Sequence, residues 1–312
     1  MTALSLAVLA VLLAWPVPLA LARARWVRRA PAAAMVLWQA VALAGGLAMI
    51  GTPLAWGLAP FGDTLPRALS VAVDSTADGG WLRLLTVDDM APARIAAVTL
   101  ALILAIHLLL TLGVTAVRTV RERQRHRRLV ELLADPSGRS RLERGTRVLP
   151  HDAPVAYCLP GLVGGLTVVS RGLLERLSDA QVSAVVAHER AHAHQRHDLL
   201  RLAFDAWQRA CPWLPTTRVA QCAVSSLTEM LADDEALKEH RREDLVAAMA
   251  LTGSSDLSPE PPHEDTEAAV PVTLRLYRLL SPTPSVATPL QVGIVTASAV
   301  LACTPLALLL IG

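Results

Sequence analysis

The chain has 312 residues, 53% of them hydrophobic and only 18% charged, with a mean hydropathy of +0.42. These values disfavour two soluble domains and point to one folded domain combined with membrane spans. The net charge of +2, from 29 basic and 27 acidic residues, excludes little by itself. Cys158, Cys211, Cys222 and Cys303 lack CxxC spacing and read as reduced structural thiols rather than a disulfide framework.

Residues 2–22 form an uncharged apolar run of spanning length. Ala20-Leu21-Ala22 resembles a signal-peptide cleavage site, but a signal peptide carries its positive charge ahead of the apolar core. Here Arg23, Arg25, Arg28 and Arg29 follow the run. It is therefore expected to be a retained helix with its N-terminus outside. A second run covers about 34–59, and an arginine-rich 23–33 loop on the cytoplasmic side sends that helix back outward. Residues 60–94, with five Asp against three Arg, read as an extracytoplasmic loop with a short helix around 64–73. The third run, 95–117, is the clearest span. His107 within it is expected to be hydrogen-bonded between helices rather than catalytic.

The segment RTVRERQRHRRLVELL that follows places the next region in the cytoplasm and extends the third helix along an anionic lipid surface. Its position beside a span argues against direct nucleic-acid binding. Residues 118–285 are the one stretch large enough for a folded domain outside the membrane. Asp135-Pro136-Ser137-Gly138 reads as a turn, while Val155–Leu159 and Leu166–Ser170 read as strands separated by Pro160-Gly161 and Gly164-Gly165. Leu173–Leu177 reads as a helical turn. Ser178 with Gln181 three residues on makes a capping box, which predicts a helix from Ser178 to about Leu202. Further helices are expected at 203–210, 217–239 and 241–253. Residues 254–271 are acidic and Pro-rich, hence an exposed loop, and 286–311 form a fourth span that carries the C-terminus out.

The chemistry is concentrated in His188-Glu189-Arg190-Ala191-His192, on the predicted 178–202 helix. Histidines four apart share one helix face, so His188 and His192 can bind one Zn²⁺, with Glu189 placed to activate water. A third ligand is needed, and His194, His197, Asp198 and Glu229 are the candidates. On an unbroken helix His197 lies about 180° and His194 about 120° around the axis from His188. The longer HExxHxxGxxH pattern, which would recruit Asp198, needs a turning glycine where Gln195 stands. Glu229, one turn from Asp233 on a second helix, is therefore favoured. One of that pair can bind the metal while the other accepts the distal N–H of a ligating histidine. The bland alternative is a solvated acidic cluster, since Asp234 and Glu235 follow.

HERAH followed by ExxAD, between a third and a fourth span, resembles the BlaR/MecR-type membrane zinc metallopeptidases, as do the strands PVAYCLPG and GLTVVSRGLL before it. The resemblance implies a gluzincin-like domain with His188, His192 and Glu229 as zinc ligands and Glu189 as catalytic base; Asp233 is expected behind the ligands from its spacing to Glu229. The expected fold is an α-helical membrane protein of four transmembrane helices with a cytoplasmic α+β zincin-like metallopeptidase domain. Its parts are a membrane domain 1–117, the peptidase domain 118–285 and a last span 286–312. The expected location is the cell membrane, multi-pass, with both termini extracytoplasmic. Substrates implied are a cytoplasmic protein or peptide, a DNA-binding repressor or the chain itself; homo-oligomerisation is left open. With the chain stopping at Gly312, no penicillin-binding sensor is expected. Rival readings are an HtpX- or CaaX-type processing protease, which shares HExxH and ExxAD, and a non-proteolytic signalling scaffold. The charges Glu189, Arg190, Arg196 and Asp198 argue against a site within the lipid.

Overall fold

The computed structural model describes residues 1–79, 92–133, 146–159, 166–252, 272–281 and 284–311. The turn at 135–138, the Gly-rich 160–165 connection and the acidic 254–271 loop lie outside them, as does 80–91 of the 60–94 loop. The chain divides into two units, Met1–Leu112 with Ala206–Ala220 and Val286–Gly312, and Gly113–Asp205 with Gln221–Ser285.

Among the described residues, four helices are long and apolar enough to cross a membrane, Thr2–Arg23, Pro31–Phe61, Pro92–Leu132 and Thr288–Ile311, the third continuing beyond the first unit. The expected 2–22 helix is interrupted. α1 (Thr2–Ala14) and α2 (Pro16–Arg23) meet at Trp15, because Pro16 has no N–H to continue the ladder. α3 (Pro31–Leu58) packs on α1 and on the last helix, α12 (Thr288–Ile311). Leu6, Ala48 and Leu309 form one buried cluster, and Leu13, Val41 and Ala44 another. Small residues allow close approach between such helices. At Gly57 an added Cβ would lie 2.5 Å from Val98 Cγ2 and 2.9 Å from the Arg94 carbonyl oxygen. α4 (Leu65–Gly79) is the short helix expected in the 60–94 loop, and it is longer than expected. α5 (Pro92–Leu133) runs 42 residues without a break, about 63 Å at 1.5 Å per residue. That is twice the roughly 30 Å of hydrocarbon in a bilayer. His107 Nε2 lies 3.1 Å from the Ala210 carbonyl, the inter-helix hydrogen bond anticipated for it.

In the second unit, β1 (Thr146–Leu149) pairs parallel with β3 (Leu166–Ser170), and β2 (Ala156–Leu159) pairs antiparallel with it, giving the order β1-β3-β2. The two expected strands are β2 and β3; β1 was not anticipated. Ser170 Oγ ends β3 by accepting from the backbone N–H groups of Leu173 (3.1 Å) and Val155 (2.9 Å) and donating to the Ala153 carbonyl (2.7 Å). It thereby caps α6 (Arg171–Arg176). Gly172 is required there, because a Cβ would fall 1.8 Å from the Asp152 carbonyl oxygen. α7 (Asp179–His194) starts at the anticipated capping box, with Ser178 and Gln181 exchanging hydrogen bonds. Val182 and Val185 of α7 pack with Ala156, Val169 and Leu173 in the core.

The structure differs from the expected single helix over 178–202. α7 stops at His194, and α8 (His197–Ala210) begins after a turn in which Arg196 takes φ 50°. No glycine is needed: the left-handed conformation is open to other residues at a cost of about 1–2 kcal/mol. α9 (Pro215–Ala236) carries Glu229 and Asp233, α10 (Arg242–Thr252) follows, and α11 (Val272–Leu280) is a helix not anticipated from the sequence.

Candidate metal centre

α7 brings His188 and His192 to one face with Nε2 atoms 3.2 Å apart. Glu229 on α9 approaches both, Oε2 at 3.4 Å from His188 Nε2 and Oε1 at 3.4 Å from His192 Nε2. These three residues offer ligand atoms all within 4.8 Å of one another. A tetrahedral zinc ion with bonds of about 2.0–2.1 Å holds neighbouring ligand atoms about 3.3–3.4 Å apart. The two imidazole nitrogens lie close to that spacing, and Glu229 turns one oxygen toward each of them, so a donor set of two imidazoles and a carboxylate fits zinc.

The far side of each imidazole is also committed. His188, 3% exposed, has Nδ1 at 3.0 Å from Asp233 Oδ1, an arrangement in which a carboxylate can accept the ring's distal N–H, while its Nε2 lies 3.4 Å from Arg275 Nη2. Sequence reasoning missed Arg275 on α11. Its guanidinium donates to Asp233 through Nη2 (2.6 Å) and Nε (3.0 Å), and Nη1 lies 3.0 Å from Glu229 Oε2. A signal for it existed in VTLRLYRLL, where Arg275 and Arg278 lie three apart on one helix face. Arg278 pairs with Asp234, the residue after Asp233.

Two carboxylates, Asp233 and Glu229, face one guanidinium, with Glu189 alongside. Burial opposes ionisation of Glu229, but its hydrogen bond with His188 and the charges of His192 and Arg275 hold its carboxyl far below the usual range. Burial likewise opposes charge on Asp233, yet His188 and Arg275 hold it at about 2. Burial also disfavours a charged His188, but hydrogen bonds with Asp233 and Glu229 outweigh it and raise the ring to about 9. A dication competes with that proton for the same atoms, so metal uptake is coupled to proton release.

Glu189 is 6% exposed. Burial raises its carboxyl to about 7, and the backbone N–H of Cys158 in β2 donates to it. A carboxylate held near neutrality can both accept and return a proton at physiological pH.

Of the rejected candidates, His194 is exposed, as expected. Asp198 pairs with Arg123 of α5. His197 is hydrogen-bonded and outside the ligand group, as expected of it, but the regular helix assumed for it is corrected. The turn at Arg196 folds it back, 1% exposed, with Nδ1 at 2.8 Å from His192 Nδ1. It touches the outer nitrogen of His192 rather than the triad of ligand atoms. Burial lowers His192 to about 3 and His197 to about 4, so both rings are neutral at pH 7.

The sequence pattern of peptidase family M48 matches residues 119–233. The matched segment includes His188, Glu189, His192, Glu229 and Asp233 and ends before Arg275. M48 peptidases are zinc-dependent, and the match indicates a metallopeptidase, in a chain whose long apolar helices have the length and composition to cross a membrane. No curated protein matches the chain, and no solved structure does.

Proposed function

We propose that this protein is a membrane-embedded zinc endopeptidase that cleaves a cytoplasmic protein. In this reading four helices span the bilayer and both termini lie outside. The arginine-rich continuation of α5 keeps the peptidase unit in the cytoplasm. The observation that carries the chemistry is the convergence of His188 Nε2, His192 Nε2 and the Glu229 carboxylate, with ligand atoms all within 4.8 Å of one another and buried Glu189 one residue from the first ligand.

His188, His192 and Glu229 hold the ion. When bound, zinc supplies Lewis acidity, polarising the scissile carbonyl and lowering the pKa of water. Glu189 accepts the proton that water loses and returns it to the leaving amine. Asp233 keeps the His188 ring oriented, and Arg275 balances the charge of Asp233 and Glu229. The substrate class we favour is a regulatory protein, such as a DNA-binding repressor, or the chain itself, cleaved in signal transduction. The M48 similarity supports a second reading equally well: HtpX-type processing or quality control of membrane proteins.

The test uses the full chain purified in detergent, with bound zinc and cleavage of an unfolded protein such as casein measured together. Glu189→Gln should keep one zinc per chain and lose at least about 100-fold in turnover, the scale of a general base. Wild-type turnover in Glu189→Gln would remove Glu189 from this role. Undiminished zinc in His188→Ala would remove the site. Mass spectrometry of products in inverted membrane vesicles separates the two substrate classes: soluble regulators or fragments of the chain itself in one case, other membrane proteins in the other.

A further inference from the structure

The two imidazoles facing the metal position are held from behind by different chemistry. Behind His188 stands a carboxylate, Asp233, at 3.0 Å. Behind His192 stands another imidazole, His197 Nδ1 at 2.8 Å. His197 Nε2 in turn lies 2.9 Å from Gln195 Oε1, and Gln195 Nε2 lies 2.8 Å from Glu235 Oε2.

The direction of every proton in this row can be worked out from its far end. The Glu235 carboxylate only accepts, and Lys238 Nζ holds both of its oxygens, at 2.9 and 2.8 Å. The Gln195 group facing it must therefore be the amide NH₂, which turns the amide oxygen toward His197. That oxygen also only accepts, so His197 carries its hydrogen on Nε2. A neutral ring protonated at Nε2 has its lone pair on Nδ1. The short contact to His192 then requires the hydrogen to sit on His192 Nδ1. His192 is left with a lone pair on Nε2, the atom that faces His188 and Glu229.

We propose that Gln195 and His197 are positioning residues: a neutral hydrogen-bond relay anchored on Glu235 that holds His192 in the Nδ1–H tautomer and so sets metal affinity. The relay exists because Arg196 turns the chain in the left-handed region and brings His197 back under His192. It rests on the metal-site reading above. It adds that His192 is backed by a neutral acceptor and His188 by a charged one, so the two ligands donate unequally.

The experiment measures zinc affinity of the full-length protein in detergent by chelator competition, with the visible spectrum of the cobalt(II)-substituted protein as a second readout of ligand geometry. His197→Leu fills the space but removes the acceptor, and should lower zinc affinity about 10- to 100-fold, as for other residues behind metal ligands. His197→Asn puts an amide oxygen where Nδ1 was, and should recover to within about threefold of wild type with the wild-type cobalt spectrum. A folded His197→Leu with wild-type affinity overturns the relay, as does His197→Asn binding as weakly as His197→Leu. Should His197→Leu not fold, Gln195→Met on the partly exposed turn tests the same row. A loss of about three- to tenfold is expected, and unchanged affinity overturns the proposal. His188→Ala distinguishes the two levels: wild-type zinc binding in that variant sinks the metal site itself, whereas its loss alongside an unaffected His197→Leu sinks only the relay.

Discussion

Asp233→Ala probes the support of the metal centre most directly. Asp233 is 1% exposed and accepts three bonds, from His188 Nδ1 and from Arg275 Nε and Nη2. Truncation has two separable effects. His188 loses the acceptor that keeps its Nε2 lone pair aimed at the metal, which lowers metal affinity about 10- to 100-fold, or about 1.4–2.7 kcal/mol. Arg275, with a side chain only 12% exposed, loses its closest counter-charge. Breaking a buried pair by removing one partner costs about 3–5 kcal/mol. Glu229 remains 3.0 Å from Arg275 Nη1, so the lower end, about 3 kcal/mol, applies. Asp233→Asn divides the two effects. An amide oxygen in the Oδ1 position still accepts from His188 Nδ1 and Arg275 Nη2, but the NH₂ in the Oδ2 position meets Arg275 Nε–H donor to donor and the counter-charge is lost. The asparagine variant should therefore bind zinc more tightly than the alanine variant while melting at a similarly reduced temperature. Chelator competition and thermal unfolding by circular dichroism, both in detergent, read the two quantities. Zinc affinity in Asp233→Ala within about twofold of wild type, well short of the expected loss, would refute the role given to this carboxylate.

Two further outcomes follow from the fold. Ser170→Ala removes a helix cap worth about 1 kcal/mol and leaves a part-buried Val155 N–H without its acceptor at about 1–3 kcal/mol. The melting temperature should fall clearly, and an unchanged one would mean that the Ser170 bonds are replaced by water. Burial lowers the pKa of His126, whose Nε2 lies 3.0 Å from Tyr157 Oη. The unfolded chain therefore binds this proton more readily, and the contribution of His126 to stability declines as pH falls below the ordinary 6.5. The loss of melting temperature between about pH 7.5 and 5.5 should be smaller in His126→Phe than in wild type; equal losses in the two proteins would contradict this.

What could be read in advance follows from what is local. Apolar runs of spanning length, the Ser178–Gln181 box and the one-turn spacings His188–His192 and Glu229–Asp233 each depend on residues within a turn or two, and each reappears in the structure. The misses depend on distant partners. β1 is four residues whose pairing with β3 spans the 150s, and four residues carry no periodicity. The break after His194 has no glycine or proline; its cost is offset by bonds that form only once His197 reaches His192 and Gln195. Arg275 belongs to no motif, and its place at the site follows from Asp233 and Glu229, more than forty residues earlier.

Glu189 also ties the sheet to the helix that carries the site. β2 is the outer strand of the sheet and lies against α7, and the Cys158 N–H of that strand is directed to the Glu189 carboxyl. A substitution that removes this acceptor leaves a strand amide without a partner beneath α7, at a cost of about 1–3 kcal/mol. Glu189→Ala should then melt at a lower temperature than Glu189→Gln, which keeps a carbonyl at the same reach. The residue proposed to move protons also pins the strand beneath the helix.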